Sequence, residues 1–166
     1  MRAQNGIAYE FFRGLVSHSM RLRSFRSADL GKLHEIDLAC FAPGISYARE
    51  ELERFISHPN SQTWVAEEAR EIVGFLIANR EPRKIMHIVT IDVVAAWRRR
   101  GIGELLMDAA EQWAKDHGLG LIRLETAQDN LGAQRFYEGR GYQKVDKVEG
   151  YYADGTAAWV MVKELS

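Results

Sequence analysis

Three arginines and two glycines, in the pattern Arg98-Arg-Arg-Gly101-Ile-Gly103, follow an apolar run and open a segment with helical periodicity. The first N–H groups of a helix have no intrahelical partner, and they carry the positive end of the helix dipole. Glycines let a ligand approach that bare backbone, and arginines add charge complementary to an anion. The pattern therefore predicts a phosphate-binding turn.

This turn has alternative interpretations. A dinucleotide-binding turn would place its first glycine directly after the strand and would have a glycine at Leu106, although Glu125 stands where that motif has its ribose-binding acid. The P-loop is excluded because no Gly-Lys-Ser/Thr sequence follows the turn. The structural alternative is a helix start with incidental glycines and a solvent-exposed arginine run.

Two titratable side chains, Glu125 and His87, lie in runs that are otherwise mostly apolar and that predict buried strands. Burying a carboxylate is costly unless the group is paired or useful, so Glu125 either accepts a proton or forms an ion pair with an arginine such as Arg123. Period two places His87 on the same strand face as Ile91 and Val93. A neutral imidazole can act as a base near neutral pH, and a structural histidine is the alternative.

Strands and helices must position these side chains, and hydrophobic periodicity predicts both. Strands are predicted at 21–26, 63–67, 72–79, 85–94, 121–126, 142–148 and 156–164, and helices at 29–40, 47–57, 102–117 and 131–140. Ser46 is the predicted N-cap of the second helix. The order β-α-α-β-β-β-α-β-α-β-β indicates an α/β protein with a mixed sheet.

Composition limits the classes of function. The 166 residues, 46% hydrophobic and 27% charged, are typical of one soluble domain. A net charge of −1 argues against nucleic-acid binding, and a single cysteine, Cys40, excludes an internal disulfide framework. We expect no metal site and no membrane segment, and a cytoplasmic protein. Residues 1–19 fit the pattern poorly and are predicted to be an extension of a domain spanning 20–166.

Two motifs resemble one known family. Arg98-x-x-Gly101-x-Gly103 is similar to the acyl-CoA-binding signature of the GNAT superfamily of N-acetyltransferases, Arg/Gln-x-x-Gly-x-Gly/Ala. The segment from Asn130 to Tyr142 resembles the superfamily's N-x-x-A-x-x-x-Y-x-x-x-G-[FY] pattern. The resemblance extends from about residue 21 to the C-terminus. It implies the GNAT fold, with a central sheet splayed around acyl-CoA, and transfer of acetyl from acetyl-CoA to a primary amine.

The same resemblance implies cofactor contacts. Backbone groups of Ile91, Asp92 and Val93 would contact the pantetheine arm and thioester. Asn130 would touch the same arm, although it could simply cap a helix. The residues expected around the pyrophosphate are Arg98, Arg99, Arg100, Gly101, Ile102, Gly103 and Glu104.

Catalytic roles also follow from the resemblance. Tyr137, seven residues after Asn130, matches the family's general acid, which protonates the departing thiolate; core packing is the alternative. Glu125, twelve residues before Tyr137, matches the general base of N-terminal protein acetyltransferases, which usually acts through water. His87 is the second candidate base.

Two loops resemble those that bind the acceptor in N-terminal acetyltransferases, among them the bacterial ribosomal-protein-alanine (RimI-like) group. Phe41, Pro43 and Tyr47 would line the pocket for the first residue of a peptide, and Tyr151 and Tyr152 would hold its backbone. An α-amine, with a pKa of about 8, is partly neutral near pH 7, whereas lysine, at about 10.4, needs more help from a base. The predicted acceptor is therefore a protein or peptide N-terminus. Alternatives are a small amine (polyamine, amino acid or aminoglycoside) and a non-catalytic CoA-binding module, in a monomer or homodimer.

Overall fold

A computed structural model describes residues 20–166, so the predicted extension, residues 1–19, lies outside the described residues. The predicted order of elements is confirmed. The elements are β1 (Arg21–Ser24), α1 (Leu30–Cys40), α2 (Arg49–Ser57), β2 (Ser61–Glu68), β3 (Glu71–Glu81), β4 (Ile85–Val93), α3 (Ile102–Asp116), β5 (Leu121–Ala127), α4 (Leu131–Gly139), β6 (Gln143–Val148) and β7 (Ala158–Glu164). Within the described range, no helix is both long enough and apolar enough to cross a bilayer.

The strands form one mixed sheet in the order β1-β2-β3-β4-β5-β7-β6. Neighbouring strands are antiparallel except β4 and β5, which are parallel. Parallel neighbours need a crossover, and α3 provides it, because the chain must return to the same end of the sheet before β5 begins. The phosphate-binding turn predicted at the start of α3 therefore lies on this crossover, after a connection of residues 94–101 that follows the central strand.

The central strands separate along their length, as the resemblance implied. β4 and β5 pair in register only from Ile85 with Leu121 to His87 with Arg123. β4 continues to Val93, and β5 continues to Ala127. Beyond His87, each strand therefore leaves one edge of its backbone unpaired by the other, and a cleft opens between them.

Two apolar cores flank the sheet. Helices α3 and α4 pack on one face, where Leu106, Met107 and Ile122 are fully buried. Helices α1 and α2 pack on the other face, where Leu33 and Leu52 are fully buried. Because helices cover both faces, the central strands consist largely of apolar residues.

The predicted N-cap at Ser46 is wrong. Helix α2 begins at Arg49, and the N–H of Ala48 donates to Glu51 Oε2 at 2.8 Å. The N–H of the N-cap residue, Ala48, is therefore satisfied by an acid three residues further on, which is one half of a capping box. The chain before α2, residues 41–48, is a loop that contains one turn, in which Ile45 N and Ser46 N both donate to Ala42 O.

Candidate active site

A cleft of about 410 Å³ lies where β4 and β5 separate. Residues 88–91 of β4, residues 124–127 of β5, the loop that follows α1, and α4 form its walls. The predicted site residues that line it are Phe41, Tyr47, Ile91, Glu125, Asn130, Tyr137 and Tyr152. Pro43, His87, Asp92, Val93, Tyr151 and residues 98–104 lie outside its walls. The cleft thus brings together residues predicted from five separate segments.

A bulge in β4 changes which residues share a face. Ile77 of β3 pairs with Thr90 of β4, and the next residue of β3, Ala78, pairs with Ile88. Val89 of β4 is therefore the extra residue of the bulge. Ile91 and Val93 consequently pack with the α3–α4 core, whereas Val89 packs with the α1–α2 core. The prediction that His87 shares a face with Ile91 and Val93 is therefore wrong, because a bulge shifts the side-chain alternation by one residue.

The two candidate bases form one unit. His87 Nε2 lies 2.6 Å from Glu125 Oε2, and the Glu125 side chain is 8% exposed. Arg123 donates to the other carboxylate oxygen of Glu125 and, at 2.8 Å, to Glu81. The ion pair foreseen as the structural alternative thus exists, and it offsets the cost of burying a carboxylate beside the cleft.

The acceptor-side tyrosines remain phenols at neutral pH. Burial, followed by the charge of Glu125, raises the pKa of Tyr151 to about 12, although Arg123 opposes this shift. Burial also raises the pKa values of Tyr47 and Tyr152 above their ordinary range. A protonated phenol can donate a hydrogen bond, and the Tyr47 hydroxyl already donates to Val89 O at 3.5 Å.

Tyr137 presents an uncommitted phenol to the cleft. Its side chain is 7% exposed, and its hydroxyl has no hydrogen-bond partner within residues 20–166. Burial, then the nearby Asp92 and Tyr152, raises the pKa of Tyr137 well above its ordinary value. Asn130 begins this helix, and its Oδ1 accepts from Ala133 N at 3.1 Å, so the capping role is confirmed.

The start of α3 fits the pyrophosphate of an acyl-CoA. Gly101 is its N-cap at φ 80°, and no side chain of the described residues caps the helix. The first intrahelical bond runs from Leu105 N to Gly101 O, so the preceding N–H groups are available to an anion. Arg99 and Arg100 form no ion pair within the described chain. Arg98 instead turns back and donates to Val93 O at 3.1 Å.

Sequence reasoning missed two buried carboxyl groups beside the cleft. Asp37, on the apolar face of α1, accepts from Tyr47 N at 2.7 Å and is 0% exposed. Asp92, expected only as a backbone contact, is 1% exposed and accepts from Thr90 Oγ1 at 2.6 Å. One signal in the sequence could have indicated that Asp37 is buried. It lies four residues after Leu33, which places it on the buried face of the helix.

Known proteins share this sequence and fold. The model of the Acetyltransferase (GNAT) family matches residues 30–142. An N-alpha-acetyltransferase of Saccharolobus solfataricus is 38% identical over 80 residues, a match that covers only 48% of each chain. An N-alpha-acetyltransferase of Sulfurisphaera tokodaii is 26% identical over 171 residues, which cover 94% of this chain and 99% of the relative.

A solved structure, that of Ard1 from Thermoplasma volcanium, superposes with a TM-score of 0.83. The superposition covers 89% of this chain and 98% of Ard1 at 24% sequence identity. At that identity the likeness supports the fold alone.

Proposed function

Because the chain belongs to the GNAT family of acetyltransferases, we propose that it transfers the acetyl group of acetyl-CoA to the N-terminal α-amine of a protein or peptide. One observation carries the proposal. Glu125, held by His87, and the free phenol of Tyr137 border the same cleft, into which Tyr47 and Tyr152 also project from the two acceptor loops. Similarity to proteins named N-alpha-acetyltransferase supports this choice of amine.

Backbone groups would hold the cofactor, which supplies an activated acetyl thioester. The unpaired edge of β4 at Ile91, Asp92 and Val93 suits the pantetheine arm, because extended backbone offers alternating donors and acceptors. The uncapped start of α3, with Arg99 and Arg100, suits the pyrophosphate. At the strand edge, the backbone conformation therefore contributes more to cofactor binding than the side chains do.

Glu125 is the proposed general base. Its carboxylate lines the cleft, so it can take a proton from the acceptor amine directly or through one water molecule. His87 contacts Oε2 from outside the cleft wall, and Arg123 contacts Oε1. Because an ionised carboxylate only accepts hydrogen bonds, His87 donates through Nε2–H, and the two contacts fix the orientation of the carboxylate.

Tyr137 is the proposed general acid. Its raised pKa keeps the phenol protonated, and the absence of a competing acceptor among the described residues leaves its proton available. The departing thiolate of CoA is the strongest base that the reaction creates near this side chain. Transfer of the phenolic proton neutralises it.

The remaining expectations extend this proposal. We place the enzyme in the cytoplasm, since its single cysteine shows no dependence on an oxidising compartment. We assign residues 20–166 to the catalytic domain and residues 1–19 to an extension. We expect a monomer or homodimer that acts on an acceptor like that of the ribosomal-protein-alanine group, and that binds neither nucleic acid nor membrane.

Release of CoA thiol with paired peptides tests the choice of amine. One peptide has a free α-amine and no lysine, and the other is blocked at its N-terminus and carries one lysine. We expect release with the first peptide alone, at a rate about 10²–10⁴-fold lower in Tyr137→Phe. Release with only the blocked peptide, or only with a polyamine, would overturn the proposed acceptor. Silence with every amine, together with intact acetyl-CoA binding, would point to a binding module.

A further inference from the structure

Two buried carboxyl groups meet between α1 and β4. Asp37 comes from the helix that precedes the acceptor loop, residues 41–48, and Asp92 comes from the strand expected to bind the cofactor. Helix α1 contacts β4 one helical turn beyond Asp37, where Cys40 Sγ donates to Val93 O at 3.4 Å, so the two buried carboxyl groups face each other across this contact. No lysine or arginine forms an ion pair with either carboxyl within residues 20–166.

The hydrogen bonds of this pair require a proton between the two groups. Asp37 Oδ2 accepts from Tyr47 N, and Asp92 Oδ1 accepts from Thr90 Oγ1. The other two oxygens, Asp37 Oδ1 and Asp92 Oδ2, are buried and receive no hydrogen bond from any donor of the described chain. Two ionised carboxylates are acceptors only and cannot bond to each other. A proton shared between Oδ1 of one and Oδ2 of the other satisfies both.

We propose that Asp37 and Asp92 share one proton and act together as positioning residues that hold the acceptor loop against the cofactor strand. The shared proton joins α1 to β4, and Asp37 Oδ2 holds the loop at Tyr47 N. The loop's role in acceptor binding rests on the proposed function, whereas the shared proton does not depend on it.

The charges around the pair support a single negative charge. Burial raises the pKa of both groups; for Asp92, the charge of Asp37 raises it further. Three neighbours have smaller effects. Arg98 lowers the pKa of Asp92, His34 lowers the pKa of Asp37, and Glu51 raises the pKa of Asp37. Other titratable groups facing the pair are Cys40, Tyr47 and Tyr137. None of the three is charged near neutral pH, because burial raises the pKa of each.

The sign of the pH dependence follows from these raised values. The folded protein keeps a proton that the unfolded chain loses above about pH 5. The pair therefore stabilises the fold most at low pH, and this contribution is lost as pH rises toward the folded-state pKa. Between the unfolded-state and folded-state pKa values, the folded state holds one extra proton, so the unfolding equilibrium constant rises about tenfold per pH unit.

Loss of the proton would loosen both acceptor loops. The backbone of Tyr47 is held by Asp37 of α1, and its ring packs edge to face on Phe55 of α2, with centroids 5.1 Å apart. Gly44 O accepts from Ala153 N at 3.1 Å, which ties this loop to the loop containing Tyr151 and Tyr152. Repulsion between two buried carboxylates would separate α1 from β4 and shift this assembly.

Urea unfolding between pH 5 and 8 tests the shared proton, with Asp92→Asn as the main variant. Its amide can donate to Asp37 and accept from Thr90, so it reproduces the bonded state without a titratable proton. We expect the wild-type unfolding constant, divided by that of Asp92→Asn, to rise about tenfold per pH unit over part of this range. Asp29→Asn is the matched control. Although burial raises the pKa of Asp29, hydrogen bonds from Arg23 and Arg26 lower it overall, so its ratio to wild type should stay constant.

A spectroscopic measurement detects the proton directly. We expect the infrared carbonyl band of a protonated carboxyl at pH 7 in the wild type, and its loss in both Asp92→Asn and Asp37→Asn. A constant ratio between pH 5 and 8 together with no such band would overturn the shared proton, whatever the enzyme's acceptor.

Hydrogen exchange tests the positioning role. Asp37→Ala removes the acceptor of Tyr47 N–H, so peptides covering residues 41–48 should exchange at least about tenfold faster, and Asp37→Asn should restore their protection. Equal exchange in the wild type and Asp37→Ala would overturn the positioning role. Failure of the proposed function would instead appear as absent peptide acetylation with the exchange pattern intact.

Discussion

Two neighbouring tyrosines allow the proposed acid to be tested against a matched control. Tyr137 and Tyr142 are both buried, and their rings pack edge to face with centroids 5.8 Å apart. The Tyr137 hydroxyl faces the cleft without a partner among the described residues, whereas the Tyr142 hydroxyl donates to Glu111 Oε1 at 3.2 Å. Replacing each by phenylalanine removes one oxygen atom from each ring and should give opposite results.

Tyr137→Phe should affect turnover and spare the fold. The substitution breaks no hydrogen bond of the described chain, so the free energy of unfolding should change by less than about 0.5 kcal/mol. Loss of a general acid lowers kcat by about 10²–10⁴-fold, which corresponds to about 2.7–5.4 kcal/mol in the barrier. The dissociation constant for acetyl-CoA should stay within about twofold of the wild-type value.

Tyr142→Phe should affect the fold and spare turnover. Its hydroxyl bonds to a buried carboxylate, and losing such a bond costs about 1.5–3 kcal/mol. Lys163 Nζ, at 2.8 Å, and Arg140 Nε, at 3.3 Å, still donate to Glu111, so the lower end of this range is expected. The value of kcat at a temperature well below the unfolding transition should change by less than about twofold.

Urea unfolding, acetyl-CoA titration and CoA thiol release on both variants complete the test. Wild-type turnover in Tyr137→Phe would remove Tyr137 from the mechanism. Equal losses of kcat in the two variants would show that the effect comes from packing in the shared aromatic cluster, and would refute the argument from the free hydroxyl.

Three further predictions concern the base and the two glycine turns. Glu125→Gln should lower kcat by about 10²–10⁴-fold and abolish the acidic limb of kcat/KM, whereas His87→Gln should keep that limb and lose about tenfold in kcat. Gly101→Ala, at φ 80°, should lose about 1–2 kcal/mol of stability and weaken acetyl-CoA binding about tenfold. Gly118→Ala, at φ 67° beyond the other end of α3, is its control and should lose only stability. Gly44→Ala, at φ 89°, places a Cβ 2.9 Å from Asp154 Cβ and should raise KM for the acceptor about tenfold with unchanged acetyl-CoA binding.

Each of these predictions has a contrary outcome. An acidic limb that persists in Glu125→Gln and disappears in His87→Gln would make the histidine the base. Equal acetyl-CoA affinities in Gly101→Ala and Gly118→Ala would separate the α3 turn from cofactor binding. An unchanged acceptor KM in Gly44→Ala would show that the loop carrying it makes no contact with the acceptor.

Much of the fold could be predicted because its signals are local. Helix α3 and strand β5 are set by short-range periodicity, and Gly101 and Asn130 mark helix starts through conformations and hydrogen bonds within a few residues of the chain. The family motifs are local in the same sense, since the turn before α3 and the first turn of α4 are each built by consecutive residues. Ser46 shows the limit of this reasoning. A serine suits the start of a helix, but α2 begins three residues later, at Arg49, with Ala48 as its N-cap, and local preference alone did not locate that start.

The sequence by itself determined the order of elements, the anion-binding turn and the spacing of Asn130 and Tyr137. Only the tertiary structure decided how the polar side chains meet. The bulge at Val89 depends on the pairing of β4 with β3, so strand periodicity could not place His87. The contact of His87 with Glu125 joins residues 38 positions apart, and the approach of Asp37 to Asp92 depends on the packing of α1 against β4. Such contacts arise from the packing of distant segments, which burial stabilises and which no local pattern encodes.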